Sequence, residues 1–173
     1  MDFAVGRLRT IIRNAVASIE DKSLVRAELR SVRVKSVASV ARKAAKNNWD
    51  AEDALSQCRD LVGSRVVCNN LEDVYRFVEL LRESLPFPDR IEVRDQIAKP
   101  KSTGYRGIHV KFRIDVGKHS ASRDFIPCEV QVRSRLQDAW AELSHDDIYR
   151  RKDRRKRLKL ACSTWLQRSP RPT

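Results

Sequence analysis

The stretch Lys99-Pro100-Lys101-Ser102-Thr103-Gly104-Tyr105-Arg106-Gly107-Ile108-His109 gathers cations, glycines and an aromatic ring into one loop. About twenty residues on comes Glu129-Val130-Gln131-Val132-Arg133, which in a strand puts an acid, an amide and a guanidinium on one face. A ring can stack on a base, cations neutralise phosphates, and a carboxylate holds a metal or takes a proton. Together these groups fit phosphoryl transfer between nucleotides, where positioning and charge neutralisation carry most of the catalysis. A protein that only binds a polyanion gains nothing from the carboxylate.

Those residues need a scaffold, and hydrophobic periodicity supplies one. Val5, Leu8, Ile11, Ile12, Ala15, Val16 and Ile19 recur at helical spacing with Arg7, Arg9 and Arg13 between them. Residues 1–19 therefore read as an amphipathic packing helix and not as a signal peptide; Asp2 and Glu20-Asp21 speak against a transit peptide. Ser23 is expected to cap a short helix through residue 30. Val32-Arg33-Val34-Lys35 then alternates like a strand with Arg33 and Lys35 on one face. Ser36 can cap an Ala-rich helix that carries Lys43 and runs to about Lys46, and Asp50 another over 51–57.

Asp60-Leu61-Val62-Gly63-Ser64 leads into a strand over 65–68. Asn70 is placed to cap a helix with Leu71, Val74, Phe77, Val78 and Leu81 on its buried side, ended by Pro86 and Pro88. Three alternating strands follow. Ile91, Val93 and Ile97 mark the first. Ile108, Val110, Phe112, Ile114 and Val116 mark the second, leaving His109, Lys111 and Arg113 opposite. Ile126, Cys128, Val130 and Val132 mark the third, leaving Glu129, Gln131 and Arg133 opposite. Ser134 caps a last helix carrying Leu136, Ala139, Trp140 and Leu143, with Trp140 assigned to the core. The order predicts one α+β domain, a mixed sheet flanked by helices, with the polar strand positions converging on one charged face.

With 173 residues, 41% of them hydrophobic, the chain can bury a core, and no apolar run approaches the length of a transmembrane helix. Cys58, Cys68, Cys128 and Cys162 show no zinc-like spacing, so Cys68 and Cys128 read as small core residues of a cytoplasmic protein with no membrane partner. The net charge of +13 draws polyanions. Much of it sits in the run 150–159, where Arg151, Lys152, Arg154 and Arg155 read either as a solvated helix face or as a contact to an RNA backbone. The Pro-containing tail 169–173 is expected to fray.

Four blocks of this sequence resemble the synthetase domain of the RelA/SpoT family, and in particular its small single-domain alarmone synthetases. They are Arg33-Val34-Lys35-Ser36 with Ser39 and Lys43; Asp60 through Arg65; Lys101 through His109; and Glu129 through Arg133 followed by Trp140-Ala141-Glu142, His145 and Tyr149. They stand in family order across about two thirds of the chain. The resemblance implies a nucleotidyltransferase-like fold with N-terminal helices over 1–30, a synthetase core over 31–150 and a basic helix and tail over 151–173. It also implies transfer of pyrophosphate from ATP to the ribose 3′-hydroxyl of GDP or GTP. On that likeness Arg33, Lys35 and Lys43 hold the ATP phosphates with Arg65 close by, Asp60 and Glu129 bind Mg²⁺, and Glu129 accepts the hydroxyl proton. Tyr105 stacks on the acceptor base, and His109, Lys101 and Gln131 line the acceptor; Gln131 and Arg133 either support the acid or bind phosphate.

Two departures stand out: Gly107 occupies a position that is often Ser in the family loop, and Ser64 one that is usually aliphatic. His145-Asp146 does not make the hydrolase site of the long family members, which needs several separated His and Asp ligands. Three readings follow. The first is a (p)ppGpp synthetase. The second keeps the chemistry but modifies the tRNA 3′ end or an adenosine nucleotide, as toxic small synthetases of the family do, with an antitoxin protein as partner. The third is a catalytically silent RNA-binding module. Homo-oligomerisation through terminal helices is a further family trait.

Overall fold

Alternating burial along the strands builds the framework. The computed structural model describes residues 1–19, 25–50, 53–54, 57–85, 90–100, 104–117 and 124–143. In chain order these form α1 (Asp2–Ala17), β1 (Ala27–Val34), α2 (Val37–Asn47), β2 (Val62–Cys68), α3 (Leu71–Glu83), β3 (Glu92–Asp95), β4 (Ile108–Asp115), β5 (Phe125–Ser134) and α4 (Arg135–Leu143). The five strands make one mixed sheet in the order β1-β2-β5-β4-β3, with β2 and β5 parallel and the other pairs antiparallel. This is the expected mixed sheet of an α+β protein.

Contacts divide the chain into two units, Met1–Gln137 and Asp138–Thr173. The whole sheet lies in the first; of the second, only 138–143, the end of α4, is described.

One sheet face carries Val62, Val66, Val110, Val130, Val132 and Cys128, all fully or almost fully buried against α1 and α3. Helix α1 presents Ala4, Leu8, Ile12 and Ala15 to this core, and α3 presents Val74, Phe77, Val78 and Leu81. Caps fix where two helices start. The Ser36 hydroxyl accepts from Ser39 N–H at the head of α2, and Asn70 Oδ1 accepts from Asp73 N–H at the head of α3. Asp50 likewise accepts from Asp53 N–H. Burial pushes the thiols of Cys68 and Cys128 up to about 12, as suits core cysteines.

Several expectations are corrected. Residues 27–30 do not end a helix but open β1, because Ala27, Glu28 and Leu29 pair with Cys68, Val67 and Val66 of β2. Strand β2 begins at Val62, three residues earlier than its alternation suggested, so Asp60 stands just ahead of a strand. Leu71, first in α3, is 47% exposed because the buried stripe starts one turn later. Leu136 and Trp140 of α4 are also exposed. The predicted helix-ending prolines, the tail and Cys162 lie outside the described residues. Among the described residues no helix is long and apolar enough to cross a membrane.

Ser64 points into the apolar side of β2, level with Val32 and Val130, and its hydroxyl has no hydrogen-bond partner among the described residues. An unpaired buried hydroxyl costs about 1–3 kcal/mol. Ser64→Ala is therefore expected to raise stability by about 1 kcal/mol, whereas Phe77→Ala, which empties a fully buried site, should lower it by about 3–5 kcal/mol. Urea unfolding of both variants checks the opposite signs.

Candidate active site

The second face of the sheet is polar because alternation and register leave it no choice. His109 lies level with Gln131 and Lys111 level with Glu129 on β4 and β5, while Gly63 of β2 lies level with Glu129 on the other side. Glu129 is only 9% exposed. His109 Nδ1 lies 3.0 Å from Glu129 Oε1, and Gln131 Nε2 donates to Oε2 at 2.9 Å. Lys111 Nζ stands 3.8 Å from the same carboxylate.

These contacts close into a ring. Arg133 donates through its terminal nitrogen to Gln131 Oε1 (2.7 Å) and through Nε to the Tyr105 hydroxyl (3.1 Å). That hydroxyl is 2.8 Å from His109 Nε2. The arrangement that satisfies every partner carries the imidazole hydrogen on Nδ1, donated to Glu129, while Nε2 accepts from Tyr105. Two chains of donors thus leave Arg133 and meet on Glu129. The Arg133 guanidinium also lies over the Tyr105 ring, 4.9 Å from its centre, and Tyr105 meets His109 edge-on. Arg133 therefore supports the acid.

Burial alone would raise the Glu129 pKa, but the His109 and Gln131 hydrogen bonds and the Lys111 cation outweigh it and hold the group at about 2. Asp60 is ionised by different means. Lys35 Nζ lies 2.5 Å from Oδ2, Lys43 Nζ 2.8 Å from Oδ1, and the Cys58 thiol 3.2 Å from Oδ1. Burial opposes the charge here too, and the two ammonium groups with the thiol overcome it, pulling the carboxyl well below its usual range.

Asp60 and Glu129 both line a cavity of about 70 Å³, together with Arg33, Lys35, Arg65 and Gln131. Its small volume and its lining of cations suit phosphate groups. Its floor includes Gly63, where an added Cβ would meet nothing within 4 Å. Two carboxylates around an open glycine cradle fit Mg²⁺, which takes its remaining ligands from phosphates and water. Among the described residues no group of three or more His, Cys, Asp or Glu is gathered for a metal. A wider cleft of about 420 Å³ is lined by Arg59, Arg90, Glu92, Lys111, Arg113 and Phe125, and its Lys111 stands 3.8 Å from Glu129.

The sequence-predicted residues Arg33, Lys35, Asp60, Arg65, Glu129 and Gln131 thus meet at one cavity, and Lys43 joins them through Asp60. Tyr105 and His109 join through the ring. Lys101 and the basic residues Arg151, Lys152, Arg154 and Arg155 lie outside the described residues, as do His145 and Tyr149. Sequence reasoning missed Arg59 and Arg90 of the wider cleft. They stand outside the strands, where no periodicity marks a facing direction; only the neighbour relation of Arg59 to Asp60 hinted at one.

The Glu129 linkage has a fixed sign. Its folded value lies below its ordinary 4.5, so its contribution is complete above pH 4.5 and is lost as pH falls toward about 2. The loss is on the order of 3 kcal/mol. Wild-type stability should therefore fall more steeply over that window than that of Glu129→Gln, as read by urea unfolding at stepped pH.

The profile of the family described as "Region found in RelA / SpoT proteins" matches residues 32–154. Over 120 residues the chain is 28% identical to the GTP pyrophosphokinase YwaC of Bacillus subtilis, covering 68% of this chain and 56% of that protein. The chain thus spans about half the length of that relative. The fold is similar to that of small alarmone synthetase 2 from Bacillus subtilis, with a TM-score of 0.65 and 25% identity over 86% of this chain and 76% of that one. Small alarmone synthetase 1 from the same organism, solved bound to its product pppGpp, shares the fold with a TM-score of 0.69 at 24% identity, over 95% of this chain and 84% of that one. With a profile match over most of its length and this shared fold, the chain belongs to the RelA/SpoT family.

Proposed function

We propose that this chain transfers the β,γ-pyrophosphate of ATP to the ribose 3′-hydroxyl of GDP or GTP, making (p)ppGpp in the cytoplasm. The observation that carries the reading is the convergence of Asp60, Glu129 and the cations Arg33, Lys35 and Arg65 on one phosphate-sized cavity. The family supports it, as does the name GTP pyrophosphokinase borne by a relative.

In this reading the acceptor 3′-oxygen attacks the β-phosphorus of ATP, the bond from that phosphorus to the α-phosphate bridging oxygen breaks, and AMP leaves with the oxygen. Arg33, Lys35 and Lys43 hold the donor phosphates with Arg65 beside them. Tyr105 supplies a stacking surface for the acceptor base, and His109, Lys101 and Gln131 line the acceptor. Glu129 takes the hydroxyl proton. Its low pKa makes it a weak base, which suffices where the proton departs late from a loose transition state. Mg²⁺ held by Asp60 and Glu129 would add neutralisation of the phosphate charge. The wider cleft has the size and the cations to take the body of one nucleotide.

The test offers ATP labelled on its terminal phosphate, with Mg²⁺, to GDP, GTP, ADP, ATP and deacylated tRNA in parallel. Label on GDP or GTP is expected. Label on tRNA alone, with affinity collapsing as salt rises, would replace this reading with the tRNA-modifying one that the +13 charge favours. No transfer to any acceptor would leave a binding module. Glu129→Gln is expected to abolish transfer while ATP still binds, measured by calorimetry. Tyr105→Ala should raise the acceptor KM roughly 5- to 150-fold, the equivalent of about 1–3 kcal/mol for one stacked base, with the KM for ATP nearly unchanged.

A further inference from the structure

Gly107 is buried at the entrance to β4, two residues after Tyr105 and two before His109. Its backbone is not in the left-handed region, unlike that of Gly104 and Gly117, so conformation does not demand a glycine there. Space does. A Cβ at position 107 would stand 3.1 Å from the Tyr105 hydroxyl, 3.2 Å from Arg133 Cγ and 3.3 Å from the carbonyl oxygen of Val132. The first two atoms belong to the ring that ends on Glu129. The third is backbone of β5; at these distances each neighbour must give by a few tenths of an ångström, and the Tyr105 hydroxyl, the nearest, has to give most.

We propose that Gly107 is a positioning residue, the seat that lets the Tyr105 hydroxyl dock between His109 and Arg133 and so fixes the ring of Tyr105 as a preformed platform for the acceptor base. Tyr105 comes from a loop, and a loop tyrosine held only by its backbone would sample several rotamers. Here its hydroxyl is held by two hydrogen bonds, and the Arg133 guanidinium lies over the ring. An added methyl group displaces the hydroxyl relative to His109, or Arg133 relative to the ring, by a few tenths of an ångström. Either movement costs the platform its orientation, and acceptor binding must then supply the ordering that the free protein now provides. The role at the acceptor rests on the proposed function; the docking itself does not.

The experiment is a double-mutant cycle of Gly107→Ala and Tyr105→Phe, read both in acceptor kinetics and in urea unfolding. Gly107→Ala is expected to raise the acceptor KM about 10-fold with the KM for ATP unchanged. Because phenylalanine removes the atom nearest the new methyl group, the double variant should be no worse than Tyr105→Phe alone. An acceptor KM that is unchanged or lowered in Gly107→Ala, or losses that simply add, would overturn the inference. If no guanosine nucleotide is an acceptor, the unfolding cycle still decides: non-additive stabilities support the seat, and additive ones remove it.

Discussion

The structure turns on a buried carboxylate that must stay charged. Glu129 sits in a strand with neighbours on both sides, where burial favours the neutral acid. It remains ionised because two chains of hydrogen bonds from Arg133, one through Gln131 and one through Tyr105 and His109, both end on it. That demand fixes the register of β4 against β5. A slip of one residue would turn His109 and Lys111 into the core and bring Ile108, Val110 and Phe112 out, leaving the acid without donors and the core without packing. The core and the site therefore enforce the same pairing from opposite faces of the sheet.

The second carboxylate is solved in another currency. Asp60 is held by ammonium groups at the ends of long flexible side chains, Lys35 just beyond β1 and Lys43 on α2. An ammonium is a mobile point charge with no fixed geometry, so it can pass from a carboxylate to a phosphate without the backbone moving. The ring around Glu129 has no such freedom, since each member is both held and holding. Within one cavity the protein thus combines a rigid acid with an acid whose counter-charges can be exchanged. In the proposed reaction, arriving phosphates would meet cations that are already in place and partly buried.

Much of this was legible in the chain. Period-two alternation gave β4 and β5 almost to the residue, and the same alternation said that His109 and Lys111 share a face, as do Glu129, Gln131 and Arg133. Caps at Ser36 and Asn70 were readable from residue type alone. What escaped was whatever depends on a distant partner. Residues 27–30 are good helix formers by composition and become strand only because β2 offers them a ladder. The role of Arg133 could not be ranked, because its two acceptors come from β5 and from a loop 28 positions away. Leu136 reads as a core position by its spacing and lies exposed, which no periodicity of α4 alone could reveal.

The deepest constraint is topological. Among the described strands β2 and β5 form the one parallel pair, and that pair sits at the centre of the sheet. Parallel strands start at the same end, so the residue that leads into β2 comes to rest beside the first half of β5. Asp60 precedes Val62, Val62 lies level with Cys128, and Gly63 lies level with Glu129. One pairing therefore joins two acids that are far apart in sequence, and the crossover between the two strands contains α3, β3 and β4. Closing so long a loop is entropically costly and is rewarded only by the full set of contacts across the sheet. The site cannot exist in part: the pairing that brings the acids together is the same one that closes the core beneath them.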